Sequence, residues 1–168
     1  MMVLEDLNRL VESDLKEKLR SCCGSSAWVN RMIQSRPFQN PEDLLTKADQ
    51  AWNSTGEKDW LEAFSHHPKI GDLKSLEKKF AATKSFAKDE QASVSAAEQE
   101  ILEQLANRNF LYENKFGFIF IVCATGKSAE EMLHLLNERI TNDRSTELRI
   151  ASAEQHKITK LRLQKLFS

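Results

Sequence analysis

Helix breakers are scarce in this chain: five glycines and three prolines in 168 residues, against abundant Leu, Ala, Glu and Lys. Intrinsic preference therefore leans strongly toward helix. Cysteine is scarce too, with Cys22, Cys23 and Cys123 alone, and two neighbours in sequence rarely pair with each other. A disulfide framework is excluded on that count, and a reducing, cytoplasmic setting is the expectation. No apolar run is long enough to cross a bilayer, because the longest, Phe116 to Ala124, reaches about half of the ~20 residues required. Neither sign of charge dominates: 24 Lys and Arg stand against 25 Asp and Glu, mixed along the chain. Nucleic acid is thereby disfavoured as a partner, since its backbone draws on a concentrated basic surface. The opening MMVLEDLNRL lacks the apolar core of a secretory signal, and the closing KLFS is not the Ser-Lys-Leu peroxisomal address. Motifs for common chemistries are missing as well: there is no Gly-rich phosphate loop, no G-x-S-x-G elbow, no Cys-x-x-Cys pair and no H-E-x-x-H. Without a linker-like or repeated segment, one domain over 1–168 is expected, large enough to hold together without a structural metal.

What is present reads as an all-α bundle of about eight helices. Leu4, Leu7, Leu10 and Val11 are spaced for one helix, and Leu15, Leu19 and Cys22 for another after a break at Ser13-Asp14. Trp28, Met32 and Ile33 mark a third, closed by Pro37. Asn40, Pro41, Glu42 and Asp43 combine an N-cap, a proline at the first helical position and acids at the positive helix end, predicting a helix to about Trp52. The next starts near Glu57, carries Trp60, Leu61 and Phe64 on one face, and ends at His66, His67 and Pro68, with a turn about Gly71 beyond. Residues 73–88 read as helix broken by loop, anchored by Leu76 and Phe80; Glu90 to Leu111 reads as one long helix or two short ones. The run FGFIFIVCA, Phe116 to Ala124, favours strand by propensity but has no partner strand, leaving an extended segment between helices or a short helix. Ser128 and Glu131 form a capping-box pattern, and a last helix from about Thr146 to Phe167 offers Leu148, Ile150, Ile158, Leu161 and Leu166 to the core.

Among the four histidines, His67 stands out. An imidazole titrates near neutral pH, and a helix exit beside proline holds a side chain in one orientation. His66 offers the same chemistry but points elsewhere, and His134 and His156 lie inside helices without zinc-ligand spacing, so no metal site is expected. Two Glu-Gln pairs, Glu90-Gln91 and Glu98-Gln99, read on composition alone as solvated acidic runs.

The blocks AFSHHPKIGD (Ala63 to Asp72) and KFGFIFIVCATGKSAEEML (Lys115 to Leu133) resemble the His-Pro and Phe-Gly-Phe signatures of the 2-oxo-4-hydroxy-4-carboxy-5-ureidoimidazoline (OHCU) decarboxylases. CCGSSAWVNRMIQSRPF (Cys22 to Phe38) is similar to that family's early Trp-containing helix and Arg-Pro-Phe, and Glu138 to Leu166 to its closing helix, so the resemblance covers nearly the whole chain in order. It implies an all-helical, cofactor-free, dimeric lyase that decarboxylates a ureidoimidazoline to (S)-allantoin, the last step of urate degradation. It places the catalytic histidine at His67, followed by Pro68, and a Ser-x-x-Glu-Gln substrate motif at FAKDEQ, where Phe86 replaces Trp and Ala87 replaces Ser. Spacing to Phe116 selects Glu90 and Gln91; the rival Ser95, Glu98 and Gln99 keep the serine but shorten the connection. The resemblance further implies ligand contacts from Phe120, Ile121, Val122, Cys123 and Ala124, and an arginine at Arg162.

For the implied reaction, His67 is the expected proton donor to the carbanion and Arg162 the partner of an anionic or carbonyl oxygen. Gln91 can donate to and accept from ring amides, while Glu90 orients His67 or accepts from the substrate. The competing reading is a non-catalytic helical scaffold on the same fold, supported by the loss of the serine at Ala87.

Overall fold

The structure, a computed structural model, describes residues 2–68, 73–81 and 88–167, and of residues 73, 79, 81 and 88–95 the backbone alone. Among the described residues it consists of nine helices and no strand: α1 Leu4–Arg9, α2 Glu12–Cys22, α3 Ser26–Gln34, α4 Pro41–Asn53, α5 Glu57–Ser65, α6 Leu73–Ala81, α7 Lys88–Phe116, α8 Ala129–Arg139 and α9 Arg144–Lys165. The all-α expectation holds, with nearly the expected number of helices. They fall into two compact units. The first comprises Met1–His67, Ile121–Cys123 and Leu148–Ser168; the second comprises Pro68–Phe120 and Ala124–Glu147.

In the first unit, α3 packs against α2, α4 and α5. Its core is built on Leu7, Leu15, Leu19, Trp28, Met32, Phe38 and Leu44. Trp28 is fully buried and its indole N–H donates to the Ala48 carbonyl at 3.2 Å; Trp52 donates likewise to Ser152 at 3.2 Å. Burial of an indole is favourable only with its donor satisfied, and truncating such a residue costs ~3–5 kcal/mol. Asn40 caps α4 as expected, its side chain accepting from the Asp43 amide at 2.8 Å. The Arg36-Pro37-Phe38 turn is clipped to the end of α1. Asn8 exchanges two 2.8 Å bonds with the Phe38 backbone, and Arg36 donates to the Leu10 carbonyl at 2.8 Å.

The break between the first two helices lies at Leu10 and Val11, not at Ser13-Asp14. Leu10 turns out of the helix at ψ 142°, and the Val11 carbonyl already accepts from Asp14 and Leu15 at 3.1 and 3.0 Å. Asp14, with Glu12, lies in the first turn of α2, where the helix dipole favours negative charge, so the acid that reads as a break is part of a start.

In the second unit α7 packs on α6 and α8. It is one helix of 29 residues, burying Leu102, Leu105, Tyr112 and Phe116, while α6 buries Leu76 and α8 buries Met132, Leu133 and Leu136. Gly117 ends α7 at φ 81°, a left-handed conformation that glycine adopts without Cβ strain, and its N–H closes on the Glu113 carbonyl at 2.8 Å. The chain then runs without secondary structure through residues 118–124, as an extended segment between helices. Ser128 opens α8, accepting from the Glu131 amide at 3.1 Å. A buried polar cluster holds this unit. Glu147, fully buried, receives Arg139 at 2.6 Å, the Tyr112 hydroxyl at 2.5 Å and Asn142 at 3.1 Å. Burial and the neighbouring carboxylate push the Tyr112 phenol far above its ordinary range.

α9 differs from its expected core. Leu148 is buried, but Ile150, Ile158, Leu161 and Leu166 are only partly so; the other buried positions are Glu147, Ala151, Ser152, Gln155, Thr159 and Leu163. An apolar count cannot find this face, because four of those six side chains are polar, and Glu147, Gln155 and Thr159 among them are held by hydrogen bonds.

Candidate active site

Helix α5 delivers His67. Its last turn closes through the His66 and His67 amides, which donate to Ala63 and Phe64 at 3.2 Å each, and Pro68 prevents continuation. His67 thus lies just outside the helix. It is half-buried, not exposed as a helix-exit side chain ordinarily is, because α9 packs beside it in the first unit. Its Nε2 is bonded to the Gln155 side-chain oxygen. Gln155 is fully buried and its side-chain amide nitrogen donates to Thr159 Oγ1 at 3.1 Å; Thr159, also fully buried, donates to the Gln155 main-chain carbonyl at 3.0 Å. Burial holds the His67 pKa below its ordinary value, against the raising effect of the Gln155 bond, and the Arg162 and His66 charges push the same way as burial.

Arg162 lies near enough for its charge to act on the imidazole, and reaches the Cys22 carbonyl at 3.5 Å. Burial raises the Cys22 thiol to about 11 and pushes Cys23 up as well, so both remain thiols near neutral pH. His66 does point elsewhere. Its Nδ1 meets the Glu62 carbonyl at 2.9 Å, and its ring is packed so closely on Gly24 that a Cβ there would lie 2.4 Å from it. Glu62 in turn accepts from the Ser26 amide and hydroxyl at 2.7 and 2.9 Å, fastening the start of α3 to α5.

Of the segment expected to touch ligand, Ile121, Val122 and Cys123 belong to the first unit. Ile121 is buried and the Cys123 amide donates to Glu154, the residue before Gln155, at 3.2 Å. Phe120 and Ala124 belong to the second unit, where the Phe120 ring is edge-on to Tyr112 at 5.2 Å and lies under the Arg139 guanidinium at 4.5 Å. Glu90 and Gln91 occupy the first turn of α7, and their side chains lie outside the described residues; Ala87 and the turn about Gly71 also lie outside them. The rival Gln99 is engaged within the second unit, donating to Glu77 of α6 at 3.0 Å. His156 is structural, stacked on Trp52 with ring centroids 6.1 Å apart and paired with Asp49 at 2.5 Å. Among the described residues no three His, Cys, Asp or Glu side chains gather to hold a metal ion. No helix there is long and apolar enough to cross a membrane.

Gln155 and Thr159 were not singled out by sequence reasoning. The signal available was their four-residue spacing in α9, with Ser152 one turn before, which lines polar groups along one helix face.

Among the described residues a helical framework sets a half-buried imidazole against an amide, within reach of a guanidinium charge, an arrangement of groups able to bind an anion and move a proton. The chain belongs to the OHCU decarboxylase family, whose profile matches residues 8–164. It is 41% identical over 153 residues to the uric acid degradation bifunctional protein TTL of Arabidopsis thaliana, covering 91% of this chain and 47% of that protein. It is 27% identical to a 2-oxo-4-hydroxy-4-carboxy-5-ureidoimidazoline decarboxylase of Haloferax volcanii, covering 99% of this chain and 97% of that one. A crystal structure of OHCU decarboxylase in the presence of (S)-allantoin superposes with a TM-score of 0.72 at 42% identity, over 90% of this chain and 97% of that chain. The chain spans about half the length of the bifunctional plant relative, and about a third of two bacillar ones.

Proposed function

We propose that this protein decarboxylates 2-oxo-4-hydroxy-4-carboxy-5-ureidoimidazoline to (S)-allantoin without a cofactor, the closing step of urate degradation. The observation that carries the reading is the half-buried His67, with lowered proton affinity, held by Gln155 and facing the Arg162 charge, in a chain of this family.

The reaction asks little bond-making of the protein. The bond from the ring carbon to the carboxylate breaks, carbon dioxide leaves, and the electron pair passes into the neighbouring C=N of the ring, whose nitrogen takes up a proton. The resulting enol becomes a carbonyl as its hydroxyl proton departs and a proton is placed on the ureido-bearing carbon. One proton is consumed in total. His67 is the group that sets the proton on carbon, and placing it from one side fixes the configuration. Because the resting imidazole is neutral, it first collects a proton, and the substrate's own hydroxyl supplies one. Arg162 binds an anionic or carbonyl oxygen of the substrate through its planar donor fork. Pro68 and the backbone of residues 120–124 line the substrate, with Glu90 and Gln91 hydrogen-bonding to it.

We read the chain as a homodimer acting in the reducing cytosol, with all 168 residues serving one activity. Its free cysteines and the exposed Phe110 and Leu111 on α7 support this reading. The test is to add the protein to a mixture of urate oxidase and hydroxyisourate hydrolase and follow circular dichroism. One enantiomer of allantoin should accumulate at a rate proportional to added protein, before and after exhaustive dialysis against a chelator. Racemic product at the uncatalysed rate overturns the activity, and loss on chelation with recovery on adding metal overturns its cofactor independence.

A further inference from the structure

Two fully buried polar side chains on α9, Gln155 and Thr159, stand behind His67. Burying an amide and a hydroxyl is unfavourable unless each finds partners, and apolar residues there would pack as well at less desolvation cost. Their hydrogen bonds run in one direction. The Thr159 hydroxyl proton is committed to the Gln155 main-chain carbonyl, four residues back at 3.0 Å, so its oxygen can only accept from the Gln155 side-chain amide nitrogen at 3.1 Å. With its NH2 group held toward Thr159, Gln155 turns its carbonyl oxygen to His67 Nε2. A carbonyl oxygen cannot donate, and this nitrogen must therefore carry the hydrogen.

We propose that Gln155 is a positioning residue that holds His67 in the tautomer protonated on Nε2, leaving the lone pair on Nδ1 as the atom that exchanges protons with substrate. Thr159 sets the orientation of the Gln155 amide. Which nitrogen of an imidazole works is decided by the bond the other one makes. A neutral amide is suited to this duty: it fixes the tautomer without the negative charge that would hold a proton on the ring. The charged and titratable groups acting on His67 are His66 on its own segment and Arg162 on α9. Arg162 also disfavours a resting imidazolium, so the ring starts each cycle as a base at Nδ1.

This inference rests on the proposed role of His67 as proton carrier, but the tautomer is measurable without turnover. In a long-range 1H–15N correlation spectrum of the wild-type protein above pH 7, His67 Nε2 should show the shift of a protonated ring nitrogen and Nδ1 that of an unprotonated one. In Gln155→Leu the two shifts should move toward each other as both tautomers populate. The same variant should lose about tenfold or more of kcat, part of the ~10²–10⁴ that acid–base catalysis supplies, with KM within about twofold. Gln155→Glu keeps an acceptor at this place and adds a charge, so it should retain the tautomer and move the His67 titration upward. A wild-type His67 protonated on Nδ1, or a Gln155→Leu variant with wild-type shifts and kcat, overturns the proposal. If Gln155→Leu fails to fold, the wild-type spectrum and the Gln155→Glu titration decide it. An Nε2-protonated His67 that depends on Gln155, in a protein that forms no allantoin, refutes the decarboxylase reading while leaving the positioning intact.

Discussion

His67 and Gln155 are separated by 88 positions, one at the exit of α5 and the other in the middle of α9, and share a hydrogen bond between imidazole Nε2 and amide oxygen. The bond joins the residue most exposed to chemical demand to one of the most deeply buried polar groups in the chain. Through it the packing of α9 in the first unit controls the orientation of the histidine.

Replacing His67 by Asn removes the proton carrier while keeping a polar side chain of smaller size opposite Gln155. Decarboxylation should fall by ~10²–10⁴-fold, with helical circular dichroism and the thermal midpoint close to wild type. Steady-state rates within a few-fold of wild type would remove His67 from the mechanism.

The two Glu-Gln pairs separate by substitution. Glu90→Ala or Gln91→Ala should raise KM or lower kcat, because each leaves a substrate group unpaired at ~1–3 kcal/mol, about five- to a hundredfold in kcat/KM. Gln99→Ala removes only the bond to Glu77, so kcat/KM should stay within twofold while stability drops by ~0.5–1.5 kcal/mol. The reverse pattern would move the substrate motif to Glu98-Gln99 and bring Ser95 with it.

Activity and stability should both decline on the acid side of neutrality. Folded His67 takes up a proton less readily than it does in the unfolded chain, so once the pH falls below the unfolded value of ~6.5 the unfolded state binds more protons. This contribution is therefore complete above that value and is lost as pH falls toward the lowered folded value. The acid limb of kcat/KM should lie below pH ~6.5 and follow the His67 titration seen by NMR; an acid limb above it would assign the control to another group.

In the second unit, Arg139→Ala strands the Glu147 carboxylate among buried groups with the Tyr112 hydroxyl and Asn142 as its remaining partners. Breaking a buried pair on one side typically costs ~3–5 kcal/mol. Denaturant unfolding should show that loss, and Arg139→Met paired with Glu147→Leu should recover much of it. A single variant as stable as wild type would mean that the pair contributes nothing net.

Several features were legible in the sequence because they depend on neighbours along the chain. Asn40-Pro41 starts a helix, Ser128 caps the next turn, Pro68 ends α5, and the scarcity of glycine and proline, with no partner strand, favours helix throughout the described residues. The His-Pro and Phe-Gly-Phe blocks likewise determined the family. What only the tertiary structure decided concerns residues far apart: that His67 is half-buried with an amide behind it, that Arg162 comes near it, and that α9 buries Gln155 and Thr159 while leaving Ile150 and Ile158 partly exposed. Periodicity reports which face of a helix is apolar, and on α9 the buried face is the polar one. The hydrogen bonds that offset its burial run to His67 and within α9 itself, and such pairings leave no trace in a local pattern.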